Sequence, residues 1–416
     1  MRQRLLVPAL VLLAACSGPK TATPEAAAPE AAAPAAAASY VASHDALVAM
    51  KEKFADIDMD PDVSFLSDED KKVVNLLNQA ADIMSTIYMR QRDEDNPKWR
   101  AEIAASDLAD KDLVLKLFDL NFGPWDSLDS DKPFYGSTPL PDGAGFYPTD
   151  MTREEFEKWI AAHPEDEKAF KSPYTVIRRD AYGGLKAIAY SEYYKEQLEP
   201  AAALLREAAR ITSNASLKRF LILRADAFIS DDYYESELAW MDLDGPIEVA
   251  IGPYEVYTDR LFGYKTAFEA FVTAKDPSES AAVAKYKNYL HDMEANLPAD
   301  DRYKNFKRGA ASPISVARQV HGGGDNAAGI QIVAFNLPND ERVREAKGAK
   351  KVLLSNVLDA KFETILQPMA EHVLVPDQAA LLVKKYMGLK TLFHELSHSM
   401  GPGKLVIDGR ETTVGA

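Results

Sequence analysis

Residues 377–403 read DQAALLVKKYMGLKTLFHELSHSMGPG. Leu381, Leu382, Leu389, Leu392, Phe393 and Leu396 recur at helical spacing, and Gly401-Pro402-Gly403 stops the run. The stretch predicts a helix beginning near Asp377, just after Pro376, with one face buried. On that helix lies His394-Glu395-Leu396-Ser397-His398, an H-E-x-x-H pentapeptide. Residues four apart sit one turn above each other, so both imidazoles can reach one tetrahedral Zn²⁺. Glu395 projects about 100° round from His394, beside the metal, where a carboxylate can serve as general base toward a bound water.

Two ligands are not enough, because a catalytic zinc takes three protein ligands and keeps one position open. Position 404 is Lys, which excludes the third histidine of a metzincin. Downstream of the motif the carboxylates are Asp408 and Glu411, in a loop or strand; Glu411 is a weak candidate. His321 and His372 lie upstream and read as structural or exposed.

Outward from the motif, Gly329 to Phe335 reads as a strand between the cluster Gly322-Gly323-Gly324 and Pro338. Phe262 to Val272 reads as helix, and Ile247, Val249 and Ile251 as a strand interrupted by Gly252-Pro253. From Ala201 to Trp240 the pattern is helical, as it is from Thr152 to Ala162. Ser67 to Asp70 forms a capping box ahead of an apolar stripe at Val73, Leu76, Leu77, Ala80, Ile83, Met84 and Ile87. Residues 95–150, with Trp99 and Trp125, read as a long structured loop region with short helices. The result is a mainly α protein with a small β-sheet, α+β rather than alternating βαβ units.

The amino end predicts the compartment. Arg2 and Arg4 precede the apolar run Leu5–Leu13, which is too short to span a bilayer, and Leu13-Ala14-Ala15-Cys16 follows. Residues 1–15 read as a lipoprotein signal peptide, with Cys16 as the lipidation site and the point of membrane attachment. As the sole cysteine, Cys16 also excludes an intrachain disulfide. Ser17 at the next position favours the outer membrane, facing the periplasm. Residues 16–39 are an Ala/Pro-rich tether. A formal charge of −16 argues against nucleic acid and against an anionic membrane surface as partners.

Three segments in order carry a family resemblance. They are Ile251-Gly-Pro-Tyr-Glu-Val-Tyr257 with the following Leu261–Phe271, Gly329–Arg342, and Thr391–Gly403 continuing to Val414. Together they resemble the dipeptidyl peptidase III family, especially its bacterial branch with the shorter histidine spacing. The resemblance implies a two-lobed zinc peptidase that releases dipeptides from the amino end of oligopeptides, in a cleft between the lobes. By position, His394 and His398 resemble its metal ligands and Glu395 its general base. Tyr257 resembles the tyrosine that hydrogen-bonds the transition-state oxygen, and Glu255 the partner of the substrate's free amine. Asn336 and Asn339 resemble residues that hold the peptide as an added strand. On this reading 40–240 is the helical part of the substrate-binding lobe and 241–360 a mixed α/β cleft region. Residues 361–416 are the start of the catalytic helical lobe. The family's third ligand comes from a downstream Glu-containing helix, so the chain is expected to be C-terminally incomplete. The alternative is a non-catalytic, peptide-binding lipoprotein built on the same scaffold.

Overall fold

The computed structural model describes residues 40–57, 59, 61–275, 277–306, 313–398, 400–402, 404–407 and 409–413. Residues 40–416 cluster as one unit. The leader, the tether and Cys16 lie outside the described residues, as does the Glu411 side chain.

Helix α1 (Asp68–Arg92) begins as the sequence predicts. The Ser67 hydroxyl accepts from the Asp70 amide at 3.1 Å, and Asp70 Oδ2 accepts from the Ser67 amide at 3.1 Å. Of its stripe, Val73, Leu77, Ala80, Met84 and Ile87 are fully buried, whereas Leu76 and Ile83 are partly buried at its edges. α2 (Lys195–Ile211), α3 (Ala215–Ser230) and α4 (Tyr234–Met241) fill the predicted helical stretch. Two features of the first half differ from expectation. Residues 96–121 hold two regular helices, Asn96–Ala105 and Lys111–Asn121, because Pro97 sits in a first turn, where it starts a helix instead of breaking one. A hairpin of Thr175–Arg179 and Leu185–Ala189 interrupts the helices. Its turn is set by Asp180 Oδ1, which accepts from the amides of Tyr182 and Gly184.

At the centre is one five-stranded sheet in the order β1 (Ile247–Glu255), β2 (Ala267–Lys275), β3 (Ile314–Gly324), β5 (Lys350–Leu354), β4 (Ala334–Leu337). Only β3 and β5 pair in parallel. Here the sequence reading is corrected in several places. Residues 262–272 do not form a helix; 267–275 is strand β2, buried on both faces from Ala267 to Ala274. A strand covered on both sides shows no alternation, so its apolar run resembles a helix. Strand β1 is not interrupted at Gly252-Pro253 but runs through them to Glu255, with a bulge between Pro253 and Glu255. Pro253 is tolerated because β1 is an edge strand and needs no outward N–H. Gly252, at φ +151°, leaves room for Arg224, whose Nη1 would stand 2.4 Å from an added Cβ. The predicted strand at 329–335 starts only at Ala334, and the glycine cluster is the end of β3, not a boundary. α1 crosses β3 there so closely that a Cβ on Gly323 would lie 2.1 Å from the Ala81 carbonyl oxygen.

The motif helix is shorter than expected. Pro376–Ala379 forms one turn, Val383 is extended, and α5 runs Lys384–Ser397. The break falls on a β-branched residue that favours the extended conformation it adopts. After α5 the chain forms a hairpin of Lys404–Ile407 and Arg410–Thr413. Among the described residues no helix is long and apolar enough to cross a membrane.

Candidate active site

A cavity of about 340 Å³ gathers Glu255, Tyr257, Asn336, Asn339, His394, Glu395 and His398, residues spread over more than a hundred positions of sequence. Each arrives by a separate local device. Glu255 is the last residue of β1, just past the bulge that re-aims the strand end. Tyr257 follows in a loop organised by Asp259, whose carboxylate accepts from the amides of Leu261, Phe262, Tyr264 and Lys265 and from the Tyr147 hydroxyl. Tyr257 is 78% exposed, at the cavity mouth. Asn336 lies on β4 opposite Lys351 of β5, and its Oδ1 is buried without a hydrogen-bond partner. Asn339 donates to the Tyr254 carbonyl at 3.0 Å and to Glu255 Oε1 at 3.2 Å. Its own Oδ1 accepts from Arg344 at 3.1 Å.

The opposite wall is the end of α5. Leu392 and Leu396 bury its inner face against Ile314, Val316 and Leu353. That packing leaves His394 and His398 presented together, His398 as the first residue past the helix. Their Nε2 atoms are 3.3 Å apart and the rings are nearly perpendicular, at 86°. Two nitrogens each about 2.0–2.1 Å from a tetrahedral zinc stand about 3.3 Å apart, so the pair fits two positions of one metal. Among the described residues no group of three or more His, Cys, Asp or Glu side chains could hold a metal ion. His321 is engaged elsewhere, 2.7 Å from Asp82 of α1, and neither it nor His372 lines the cavity.

Three lining or neighbouring residues escaped the sequence reading. Glu269 of β2 and Asp325 after β3 face the same space as Glu255. Burial pushes the carboxyls of Glu255, Asp325 and, furthest, Glu269 above their ordinary range; the Asp325 charge adds to the rise at Glu255, and the Glu255 and Asp325 charges add to that at Glu269. Lys351 is the third. Strand alternation turns Lys350 and Lys351 to opposite faces: Lys350 reaches Glu248 at 3.1 Å, while Lys351 is a fully buried cation whose charge acts on Glu395 and His398. Burial raises the Glu395 carboxyl, with His394 and Lys351 pulling it back, and burial lowers the His398 imidazole. A carboxylate within an otherwise apolar strand run, as in Phe268-Glu-Ala-Phe271, was the available signal for Glu269.

Comparison with known proteins adds the lineage. The chain is 34% identical to Nudix hydrolase 3 of Arabidopsis thaliana over 414 residues, 87% of this chain and 53% of that protein. It thus spans about half the length of that relative. It is 33% identical to dipeptidyl peptidase 3 of Nematostella vectensis over 124 residues, 29% of this chain and 16% of that one. Among solved structures, DPP III from Caldithrix abyssi is 54% identical with a TM-score of 0.82, covering 88% of this chain and 70% of that one. DPP III from Corallococcus sp. strain EGB is 40% identical with a TM-score of 0.86, covering 90% and 70%. These likenesses carry the fold expected from the sequence, mainly α with a small β-sheet, α+β. With residues 149–414, which include the whole cavity lining, matching peptidase family M49, the chain belongs to that family, the dipeptidyl peptidase III family.

Proposed function

We propose that this protein is a zinc-dependent exopeptidase that hydrolyses oligopeptides and releases dipeptides from their amino end. The observation that carries the reading is the convergence of Glu255, Tyr257, Asn336 and Asn339 on the cavity that holds His394, Glu395 and His398. His394 and His398 would supply two of the three protein ligands of the metal, which when bound supplies Lewis-acid polarisation of the scissile carbonyl and activation of a water. Glu395 accepts the proton of the attacking water on its carboxylate and returns it to the leaving amine. Tyr257, at the mouth, donates its phenolic hydrogen to the oxyanion that develops on the former carbonyl oxygen. Glu255 binds the substrate's ammonium, and Asn339, already bonded to Glu255, orients that carboxylate. Asn336 Oδ1, a buried acceptor without a partner, is suited to a peptide N–H.

An anionic substrate fits poorly. Glu255, Glu269, Asp325 and Glu395 line the cavity and outnumber its one guanidinium, Arg344, so an amine is favoured there over an anion. An intact base at Glu395 likewise favours catalysis over a non-catalytic peptide binder. From the sequence alone we further propose attachment to the cell envelope through lipid on Cys16; labelling with radioactive palmitate, lost in Cys16→Ala, tests it.

The deciding experiment measures metal content and dipeptide release together in the purified protein. One equivalent of zinc, with dipeptides released from a free-amine pentapeptide but not from its acetylated form, is expected. Zinc binding without hydrolysis of either peptide would overturn the exopeptidase reading.

A further inference from the structure

A second cavity, of about 590 Å³, adjoins the catalytic one and shares Glu255, Tyr257 and Asn339 with it. These side chains form a septum whose crest is exposed at Tyr257 and Asn339. Anchoring a substrate amine at Glu255 fills the 340 Å³ side and leaves the larger side unused. That larger side has the size of a ligand site in its own right, not of a single side-chain pocket.

Its chemistry is that of a peptide groove with an acidic end. Pro173, Pro253, Pro338 and Tyr174 supply rigid, largely apolar walls. Glu237, on α4, lines it deep down, with a side chain only 6% exposed. One carboxylate oxygen, Oε1, accepts from Arg224 Nη2 at 2.5 Å. Arg224 spends Nη1 on the Ile251 carbonyl and the Tyr254 hydroxyl. Glu237 Oε2 is buried and has no partner. A buried acceptor left unmet is costly, and a donor arriving through the cavity removes that cost. Arg224 pairs with Glu237 and Arg342 with Asp340, which leaves Glu255 as the excess carboxylate of the lining, so a cationic donor is favoured.

We infer that the second cavity receives residues amino-terminal to the dipeptide, with an ammonium or basic side chain at Glu237 Oε2. The protein then accepts peptides in a second register and releases a longer amino-terminal fragment. This rests on the peptidase reading for its chemistry, which is unchanged: water adds hydroxyl to the acyl carbon and a proton to the leaving amine. Only the length of the released fragment differs.

Binding is measured by calorimetry in the Glu395→Gln variant, so that turnover plays no part. The probes are a free-amine pentapeptide and the same peptide extended by three residues that begin with Lys. The extended peptide is expected to bind at least ten-fold tighter. Ser172→Trp, which fills the second cavity from its wall, and Glu237→Gln should abolish that advantage and leave the pentapeptide's affinity unchanged. Should Glu237→Gln fail to fold, with Arg224 deprived of a charged partner, Ser172→Trp decides alone. Equal binding of both peptides, or an advantage that survives Ser172→Trp, overturns the inference. Mass spectrometry of wild-type digests of the extended peptide then reads the fragment released. If nothing is hydrolysed, the peptidase reading fails while the binding result stands by itself.

Discussion

The two walls of the 340 Å³ cavity are built to different standards. The wall that carries Glu255 and Glu269 belongs to strands β1 and β2, buried along nearly their whole length within the largest core. Two ion pairs stand in its interior, Arg224 with Glu237 and Lys350 with Glu248. The wall that carries His394 and His398 is helix α5, in which only Thr391, Leu392, Glu395 and Leu396 are buried. Around it Ile365, Met369, Val373, Leu381 and Tyr386 are all more than half exposed. Local stability follows buried apolar contact. The wall of Glu255 is therefore held by the global fold, whereas the wall of His394 is held by a few side chains.

That contrast predicts where a substitution should be felt. Glu395→Gln should lower peptide hydrolysis by about 10²–10⁴-fold with the thermal midpoint unchanged, because the residue serves chemistry on the loosely held wall. A large fall in midpoint would show that α5 supports the whole fold after all. On the other wall, Arg224→Ala leaves Glu237 buried without its partner and should cost about 3–5 kcal/mol of stability in urea unfolding. A loss below about 1 kcal/mol would mean that water already reaches the pair. Leu396→Ala should cost about 2 kcal/mol, the lower end for a core leucine. Its signature is local: hydrogen exchange should quicken across 384–397 and stay slow in β2 and β3. Equal acceleration in the sheet would erase the distinction between the walls.

The same division governs what could be read in advance. The H-E-x-x-H helix was legible because its spacing is local, as was the capping box at Ser67, which closes within one turn. Strand β2 was not, since burial on both faces removes the alternation that marks a strand. Glu255, Tyr257, Asn336 and Asn339 entered through resemblance alone; nothing in their own spacing announces a site. Glu269, Asp325 and Lys351 were missed because each is an isolated ionisable group. Their meeting depends on the register of strands 267–275, 314–324 and 350–354, which no single segment encodes.

The smallest effect tests how tightly the wall of Glu255 is closed. Lys265 ends the loop that carries Tyr257, and its ammonium is fully buried. It donates to the carbonyls of Phe170 and Ser172 and to the Thr175 hydroxyl, at 2.6, 2.8 and 2.8 Å. All three acceptors are neutral. The charges facing it are limited to the Asp259 carboxylate, with the Tyr147 ring 5.9 Å away. Burial outweighs Asp259 and brings the amine down to about 7. Between pH 7 and the ordinary lysine range, the unfolded chain keeps a proton that the folded protein has lost. Raising the pH through that window therefore favours folding. From pH 7 to 8.5 the gain should be about 1.5 kcal/mol, read as a rising urea midpoint, and Lys265→Met should flatten it. A wild-type midpoint that does not rise would mean that the amine stays charged, with water reaching this wall as it reaches the other.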